Sequence, residues 1–218
     1  MSPENSAEAH ITIVDYGIGN VGSIANMLKR IGVPCSFART REEIMSATSL
    51  ILPGVGAFDR GMENLAERGF IGPLTEKVQG EKVPILGLCL GMQLFVESSE
   101  EGSLPGLGWI NGRCVRFRPT EASPIKVPHM GWNRLNIVKE HPLVADLGDD
   151  QRFYFVHGYH VADLADEDQV ALVNHGGPVP AVVGRDNVMG VQFHPEKSHR
   201  YGAKLLRNFA QFAGVALR

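Results

Sequence analysis

Two short segments far apart in the chain carry the side chains of a covalent catalyst. Cys89 lies between Gly87 and Gly91, directly after an apolar run and directly before a helical pattern. Flanking glycines permit the sharp strand-to-helix turn, called a nucleophile elbow, that lifts a side chain out of a sheet. His194 and Glu196 follow a second apolar run, and their spacing puts them on one side of an extended segment. We predict a Cys-His-Glu triad of thiolate nucleophile, general base and orienting carboxylate.

The remaining cysteines and several histidines favour structural roles. A lone cysteine is most often a small buried hydrophobe, and we interpret Cys35 and Cys114 in this way. A lone histidine is also usually structural, and the histidines interpreted so are His10, His141 and His199. His194 differs because an acid follows it within reach and a predicted strand delivers both.

Length and composition indicate one globular α/β domain. The chain has 218 residues, of which 44% are hydrophobic and 21% charged, with a net charge of -3 and no basic run that would indicate nucleic acid or a membrane surface. Three cysteines without regular spacing predict a soluble protein of the reducing cytoplasm. The polar residues 1–9 are predicted to be a flexible tail and not a signal peptide, and residues 10–218 a single domain. The apolar stretch 83–96 is too short for a membrane helix, which needs roughly 20 residues.

The elements that must position the triad alternate between strand and helix in the first half of the chain. Hydrophobic periodicity predicts strands at 10–16, 34–38 and 49–52, a helix from 21 that stops at Gly32, a helical region at about 58–79, and then the elbow strand and its helix. Beyond residue 109 it predicts short strands at 110–117, 134–138, 152–156, 170–174, 181–185 and 188–193, followed by a helix at 200–216. The alternation predicts a parallel sheet with crossover helices.

A glycine-rich segment offers an alternative function. Residues 17–22 match G-x-G-x-x-G after a strand, which suggests a dinucleotide-dependent oxidoreductase, and Arg39 at the end of the next strand suggests NADP. We reject this function because Asp15 and Tyr16 make the loop longer and more polar than a pyrophosphate turn, and because the triad would have no purpose. We interpret the glycines as a tight turn with close backbone approach by a ligand or partner.

The motifs together resemble a known family. Residues 87–93 with 194–196 resemble the class I (triad) glutamine amidotransferases, which hydrolyse glutamine and send ammonia to a synthase partner. Further segments are similar to the glutaminase subunits of imidazole glycerol phosphate synthases of histidine biosynthesis: residues 15–20, 52–58, 128–133, 154–157 and 192–198. The resemblance covers residues 11–209. It implies a flavodoxin-like three-layer α/β fold, with a mostly parallel central sheet, helices on both faces and extra short antiparallel strands.

Two backbone N–H groups are expected to stabilise the oxyanion of the reaction, one assigned from the elbow geometry and one from the resemblance. The Leu90 backbone N–H follows the nucleophile and is one donor by the logic of the elbow. By resemblance the Val55 peptide supplies the second, with Gly54 and Gly56 making a peptide flip feasible.

The substrate is expected to meet two further side chains. The resemblance implies that Gln93, one helical turn past the nucleophile, hydrogen-bonds glutamine. Glu101 is a candidate for the α-ammonium group of glutamine, with a solvated charge as the alternative. No metal or cofactor is expected, because His157 and His160 lack a nearby set of further ligands.

The resemblance also implies a partner. Four residues lie in motifs that resemble a synthase-facing surface and ammonia gate: Asn20, Trp132, Tyr154 and Lys197. The expected partner is a cyclase subunit with a (β/α)8 barrel, forming a heterodimer in which ammonia passes along the barrel axis. For Trp132 an ordinary core aromatic is the alternative.

Two departures from the family and two rival functions stay open at the level of sequence. Gly158 stands where the family usually has Ser or Thr, which removes a hydroxyl near the substrate. Residues 105–110 and 198–202 resemble a paralogous branch that aminates a nucleotide-linked sugar for surface polysaccharide. Outside the family, the rivals are a stand-alone cysteine hydrolase or peptidase and a binding module with a vestigial triad.

Overall fold

A computed structural model describes residues 9–121 and 124–218 of the chain. Most of the predicted N-terminal tail, residues 1–8, lies outside the described residues. The strands of the described part are β1 (Ile11–Val14), β2 (Cys35–Ala38), β3 (Leu50–Leu52), β4 (Ile85–Leu88), β5 (Ser98–Ser99), β6 (Arg113–Arg116), β7 (His129–Asn133), β8 (Leu135–Ile137), β9 (Phe153–His157), β10 (Tyr159–Ala162), β11 (Gln169–Asn174), β12 (Pro178–Arg185) and β13 (Val188–Val191). The α-helices are α1 (Val21–Arg30), α2 (Arg41–Met45), α3 (Phe58–Glu67), α4 (Ile71–Thr75), α5 (Leu90–Gln93) and α6 (His199–Phe212). Tighter or wider helical turns cover Glu76–Gly80, Pro142–Val144, Asp166–Asp168 and Pro195–Lys197.

The main sheet has, within the described residues, eight strands in the order β2-β1-β3-β4-β13-β12-β11-β8. Pairing is parallel from β2 through β13 and antiparallel from β13 to β8. Two small sheets, β10-β6-β5 and β7-β9, lie beside it. The predicted α/β fold with a mostly parallel sheet and added short antiparallel strands is confirmed.

Buried side chains form one cluster on each face of the main sheet. Neighbouring residues along a strand point to opposite faces, and Ile51 belongs to one cluster while Leu50 and Leu52 belong to the other. Helices α1 and α6 contribute to the cluster that contains Ile51, whereas α3, α4 and α5 contribute to the second. This arrangement is the three-layer fold that the resemblance implies. None of the described helices is long and apolar enough to cross a membrane.

The helical region predicted at about 58–79 is confirmed, and the structure divides it into three pieces. Helix α3 ends before Gly69, whose φ of 67° is in the left-handed region that ends helices. Helix α4 and a π-helical turn follow as separate pieces.

Helix α2 was not predicted, although its start carries a sequence signal. The Thr40 side chain accepts from the Glu43 N–H while the Glu43 carboxylate accepts from the Thr40 N–H, which is a capping box.

Strand β7 was also missed. Its side chains Met130 and Trp132 are apolar and exposed, so the strand lacks the usual alternation of buried apolar and exposed polar residues.

Candidate active site

The nucleophile elbow connects β4 to α5 at the carboxyl end of the parallel strands. Leu88 pairs with Val191 of the neighbouring strand β13, and the Cys89 N–H donates to the Val191 carbonyl at 2.8 Å. Cys89 itself has a φ of 53° and a ψ of -109°, a conformation that a non-glycine residue adopts only under constraint. Because β4 and β13 lie side by side, the residues that follow them meet at one edge of the sheet.

The glycines of the elbow are required by packing. A methyl group added at Gly91 would overlap the Leu52 carbonyl oxygen, and one added at Gly87 would lie 2.6 Å from the Met92 nitrogen. The tight G-x-C-x-G turn therefore brings the nucleophile close to the end of β3 as well as to β13.

The predicted triad residues lie together in a largely buried cluster. His194 Nδ1 donates to Glu196 Oε1 at 2.9 Å, and the two side chains are only 4% and 3% exposed. Burial lowers the pKa of His194, but hydrogen bonds with Cys89 and Glu196 outweigh it and raise this pKa to about 9. A protonated imidazole beside a sulfur atom favours a thiolate–imidazolium pair. Glu196 Oε2 is buried with no hydrogen-bond partner among the described residues, so Oε1 carries the whole observed contact to the base.

A cavity of about 550 Å³ opens over the nucleophile. Its size is ordinary for a site that binds a small molecule. The lining residues are Val55, Gly56, Ala57, Cys89, Leu90, Gln93, Glu101, Pro128, Val156, His157, Gly158, Tyr159, His194 and Lys197.

The glycine-rich loop after β3 packs against the elbow at backbone distance. A methyl group added at Gly54 would lie 2.7 Å from the Gly91 nitrogen, whereas Gly56 has a φ of 95° and open space around it. Val55 between them is 45% exposed. The loop thus packs closely against the elbow at its first glycine, whereas a side chain at its second would meet open space.

Residues near the end of β1 support this loop. The sequence did not predict these supporting contacts. The Tyr16 hydroxyl is buried and donates to the Pro53 carbonyl at 2.7 Å. A methyl group added at Gly19 would lie 2.9 Å from Pro53 Cβ. At Gly19 the close approach is thus made by Pro53 of the same chain, whereas the expectation for residues 17–22 was a ligand or partner.

Gln93 lines the cavity, but its amide nitrogen donates hydrogen bonds to other groups of the protein. Nε2 donates to the Tyr159 carbonyl and to Gln192 Oε1, each at 3.0 Å. Gln93 Oε1 has no partner among the described residues and is the polar atom left for a ligand. Only an acceptor role toward substrate is consistent with this geometry.

The Glu101 side chain is partly buried and one of its carboxylate oxygens is bound within the protein. Its Oε2 accepts from the Phe58 N–H at 2.9 Å, and the residue lines the cavity. The carboxylate is tied to the first turn of α3, directly after the glycine-rich loop.

Three of the four residues assigned to a partner surface form one group. Lys197 lines the cavity, and its ammonium lies 5.7 Å from the centre of the Tyr154 ring. The Trp132 ring is 6.0 Å from that of Tyr154 and stacks on His199. Trp132 is 47% exposed, so the core-aromatic alternative is wrong.

Asn20, the fourth of these residues, lies at the start of α1. Its side chain is exposed and caps α1 by accepting from the Ser23 N–H at 3.3 Å. It does not line the cavity over the nucleophile.

A pair of buried histidines lies beside the cavity. His129 Nδ1 and His157 Nε2 are 2.9 Å apart, while His157 Nδ1 faces the Tyr159 carbonyl at 2.8 Å. Burial lowers the pKa of His129 to about 4 and that of His157 to about 3, and neighbouring histidines add to both shifts. Both ring nitrogens of His157 are thus occupied. Among residues 9–121 and 124–218, no three His, Cys, Asp or Glu side chains are arranged to hold a metal ion.

The fold and the site together define a class of protein. A strained cysteine at a strand-to-helix turn, with a buried histidine–glutamate pair and a small-molecule cavity, has the arrangement of a nucleophile–histidine–acid triad on an α/β sheet. The family model of glutamine amidotransferase class-I matches residues 12–212.

The curated relatives that the chain resembles are subunits of one particular synthase. The chain is 47% identical to imidazole glycerol phosphate synthase subunit HisH 2 of Pseudomonas aeruginosa, over 92% of this chain and 98% of that protein. It is 48% identical to the protein of the same name from Methanococcus maripaludis, over 93% of this chain and 100% of that one. The chain belongs to the class I glutamine amidotransferase family and, within it, to the group of imidazole glycerol phosphate synthase HisH subunits.

Solved structures share the fold at low sequence identity. A crystal structure of a glutamine amidotransferase matches with a TM-score of 0.73 and 20% identity, over 94% of this chain and 99% of that one. The glutaminase domain of Trypanosoma brucei CTPS with bound acivicin matches with a TM-score of 0.67 and 16% identity, over 96% of both chains.

Proposed function

We propose that this chain is the glutaminase subunit of an imidazole glycerol phosphate synthase in histidine biosynthesis. It hydrolyses glutamine to glutamate and ammonia and delivers the ammonia to a synthase subunit. The observation that carries the proposal is the buried Cys89–His194–Glu196 group at the base of a cavity of about 550 Å³. The names of the curated relatives favour this synthase over an enzyme that aminates a sugar.

The first half of the reaction releases ammonia. The Cys89 thiolate attacks the side-chain amide carbon of glutamine, and the carbonyl oxygen becomes an oxyanion. Backbone donors at Leu90 and Val55 stabilise that oxyanion, typically the largest electrostatic contribution in acyl transfer. The His194 imidazolium then gives its proton to the amide nitrogen, the carbon–nitrogen bond breaks, and ammonia leaves with a thioester on Cys89.

The second half regenerates the enzyme. Neutral His194 takes a proton from water as the oxygen attacks the thioester carbon. The carbon–sulfur bond breaks, glutamate leaves, and the thiolate again faces an imidazolium. Glu196 accepts from His194 Nδ1 throughout, which keeps Nε2 directed toward the sulfur.

Two acceptors can hold the substrate's α-ammonium group. Gln93 Oε1 and the Glu101 carboxylate both border the cavity, and both side chains are anchored by hydrogen bonds within the protein. An anchored acceptor loses little freedom when substrate binds, so orientation of the amide toward Cys89 costs less entropy.

Delivery of ammonia requires a partner. We infer a heterodimer with a (β/α)8-barrel cyclase that covers the group of Lys197, Tyr154 and Trp132. The inference is supported by an apolar surface on β7, where Met130 is 62% and Trp132 47% exposed beside the mouth of the cavity. Residues 10–218 would act as one domain in this complex, and the thiolate nucleophile favours a reducing cytoplasmic compartment.

The test replaces the nucleophile. Cys89→Ala is expected to abolish glutamine-dependent synthesis by the complex while synthesis from added ammonium salts continues. Cys114→Ala is the matched control, because this second buried cysteine lies outside the cavity lining. Glutamate release and a peptidase counter-screen are measured for both variants. Glutaminase activity retained by Cys89→Ala, or peptidase activity in the wild type, contradicts the proposal.

A further inference from the structure

A second glutamine lies directly against the nucleophile. Gln192 follows β13 and is fully buried, with its Nε2 3.7 Å from Cys89 Sγ. Its Oε1 accepts from Gln93 Nε2 at 3.0 Å. The amide thus bridges the sulfur atom and a side chain that borders the substrate cavity.

The hydrogen-bond chain determines which end of the Gln192 amide meets the sulfur. The Tyr159 carbonyl can only accept, so the end of the Gln93 amide that faces it at 3.0 Å is the nitrogen. The same Gln93 nitrogen faces Gln192, which must therefore present its oxygen there. The Gln192 nitrogen is left to face Cys89 and donates an N–H to it.

We propose that Gln192 is a catalytic residue of the glutaminase, whose amide N–H stabilises the Cys89 thiolate. The inference rests on the proposed function for its catalytic meaning, but the contact itself does not depend on the substrate. Cys89 is only 7% exposed, so water contributes little to the solvation of a negative sulfur atom. A neutral donor inside the protein replaces part of that solvation.

The other groups around the sulfur do not duplicate this donor. His194 supplies the mobile proton of the reaction and is neutral for part of each cycle, and Glu196 lies behind it and bonds to it. The Tyr16 hydroxyl donates to Pro53 instead. Gln192 is therefore a donor whose charge does not change with pH or with the step of the reaction.

The experiment measures alkylation of Cys89 by iodoacetamide as a function of pH, with the full chain and with its complex. Peptide mass spectrometry separates Cys89 from the other cysteines. Gln192→Leu removes the donor at similar volume. It is expected to move the midpoint of the alkylation profile up by about one pH unit, equivalent to about 1.4 kcal/mol, so that alkylation is about tenfold slower at pH values below both midpoints.

A second variant and a control keep the test decisive. Gln192→Glu has the same shape and places an oxygen toward the sulfur, so the same direction of change is expected even where Gln192→Leu folds poorly. Gln151→Leu removes another buried amide, one that bonds only to the backbone of Leu135, and should leave the alkylation profile unchanged. In the complex, glutamine-dependent kcat/KM of the Gln192 variants should fall about tenfold on the acid limb of its pH profile and recover as the pH rises, which a purely structural defect would not do.

The outcomes separate this inference from the proposed function. Wild-type alkylation profiles in both Gln192 variants overturn the assignment of Gln192, whatever the glutaminase activity. An altered profile in a chain that proves not to be a glutaminase removes the proposed function and the catalytic role, and leaves only the stabilising contact with the sulfur. An altered profile that Gln151→Leu reproduces also overturns the inference.

Discussion

Loss of the Tyr16 hydroxyl is expected to slow glutamine hydrolysis without weakening glutamine binding. Tyr16 is fully buried, and its hydroxyl donates to the Pro53 carbonyl at 2.7 Å, directly before the loop that carries Val55. Tyr16→Phe keeps the ring and removes only that donor. The Pro53 carbonyl then has no hydrogen-bond partner among the described residues.

The magnitude follows from the cost of an unpaired buried acceptor. Leaving such a carbonyl without a partner costs about 1–3 kcal/mol. A loop that regains about 1.4 kcal/mol by rotating its peptides away from the arrangement that supplies the Val55 donor would occupy that arrangement about tenfold less. In the proposed mechanism the Val55 donor acts on the oxyanion and not on bound glutamine, so kcat should fall about tenfold while KM stays within about twofold.

The assay is glutamate release by the complex, together with urea unfolding of the isolated chain. Tyr201→Phe is the matched control, because it removes a phenol hydroxyl that bonds to Asp150 on the surface. An unchanged kcat in a Tyr16→Phe variant that has lost about 1–3 kcal/mol of stability would refute the reasoning, since the hydrogen bond would then hold the fold and not the catalytic loop.

Two further outcomes are expected. Gly158→Ser adds a hydroxyl to the cavity lining, where an added Cβ meets no atom within 4 Å. The substitution should lower the KM for glutamine about two- to tenfold and leave kcat unchanged. Steady-state kinetics that show an equal or higher KM would contradict this prediction. His129 and His157 are neutral when folded, with pKa values of about 4 and about 3 against 6.5 for the free side chain, so the unfolded chain binds more protons as the pH falls below 6.5. These two histidines should therefore lower the free energy of unfolding by up to about 4 kcal/mol between about pH 7.5 and about pH 5, while the raised pKa of His194 opposes this change by roughly 1 kcal/mol. Urea titrations should show a net drop of about 2–3 kcal/mol, and a rise over that interval would show that these two histidines are not buried as neutral groups.

The sequence by itself determined the features that depend on local chemistry. The glycines on either side of Cys89, the strand before it and the two-residue spacing of His194 and Glu196 are properties of short segments. Hydrophobic periodicity likewise predicted most strands and the α/β class, because the alternation of a strand and the turn of a helix repeat within a few residues. The capping box at Thr40 was equally local and was overlooked.

Only the tertiary structure decided what surrounds the nucleophile. The contacts of Gln192 join residues 99 and 103 positions apart, and the Tyr16–Pro53 hydrogen bond joins residues 37 positions apart. No repeat or spacing in the sequence encodes such pairs, because they arise when parallel strands bring their carboxyl ends to one edge of the sheet. The exposure of Trp132 was undecided for the same reason, since a strand pattern shows which residues share a face but not whether another element of the chain covers that face.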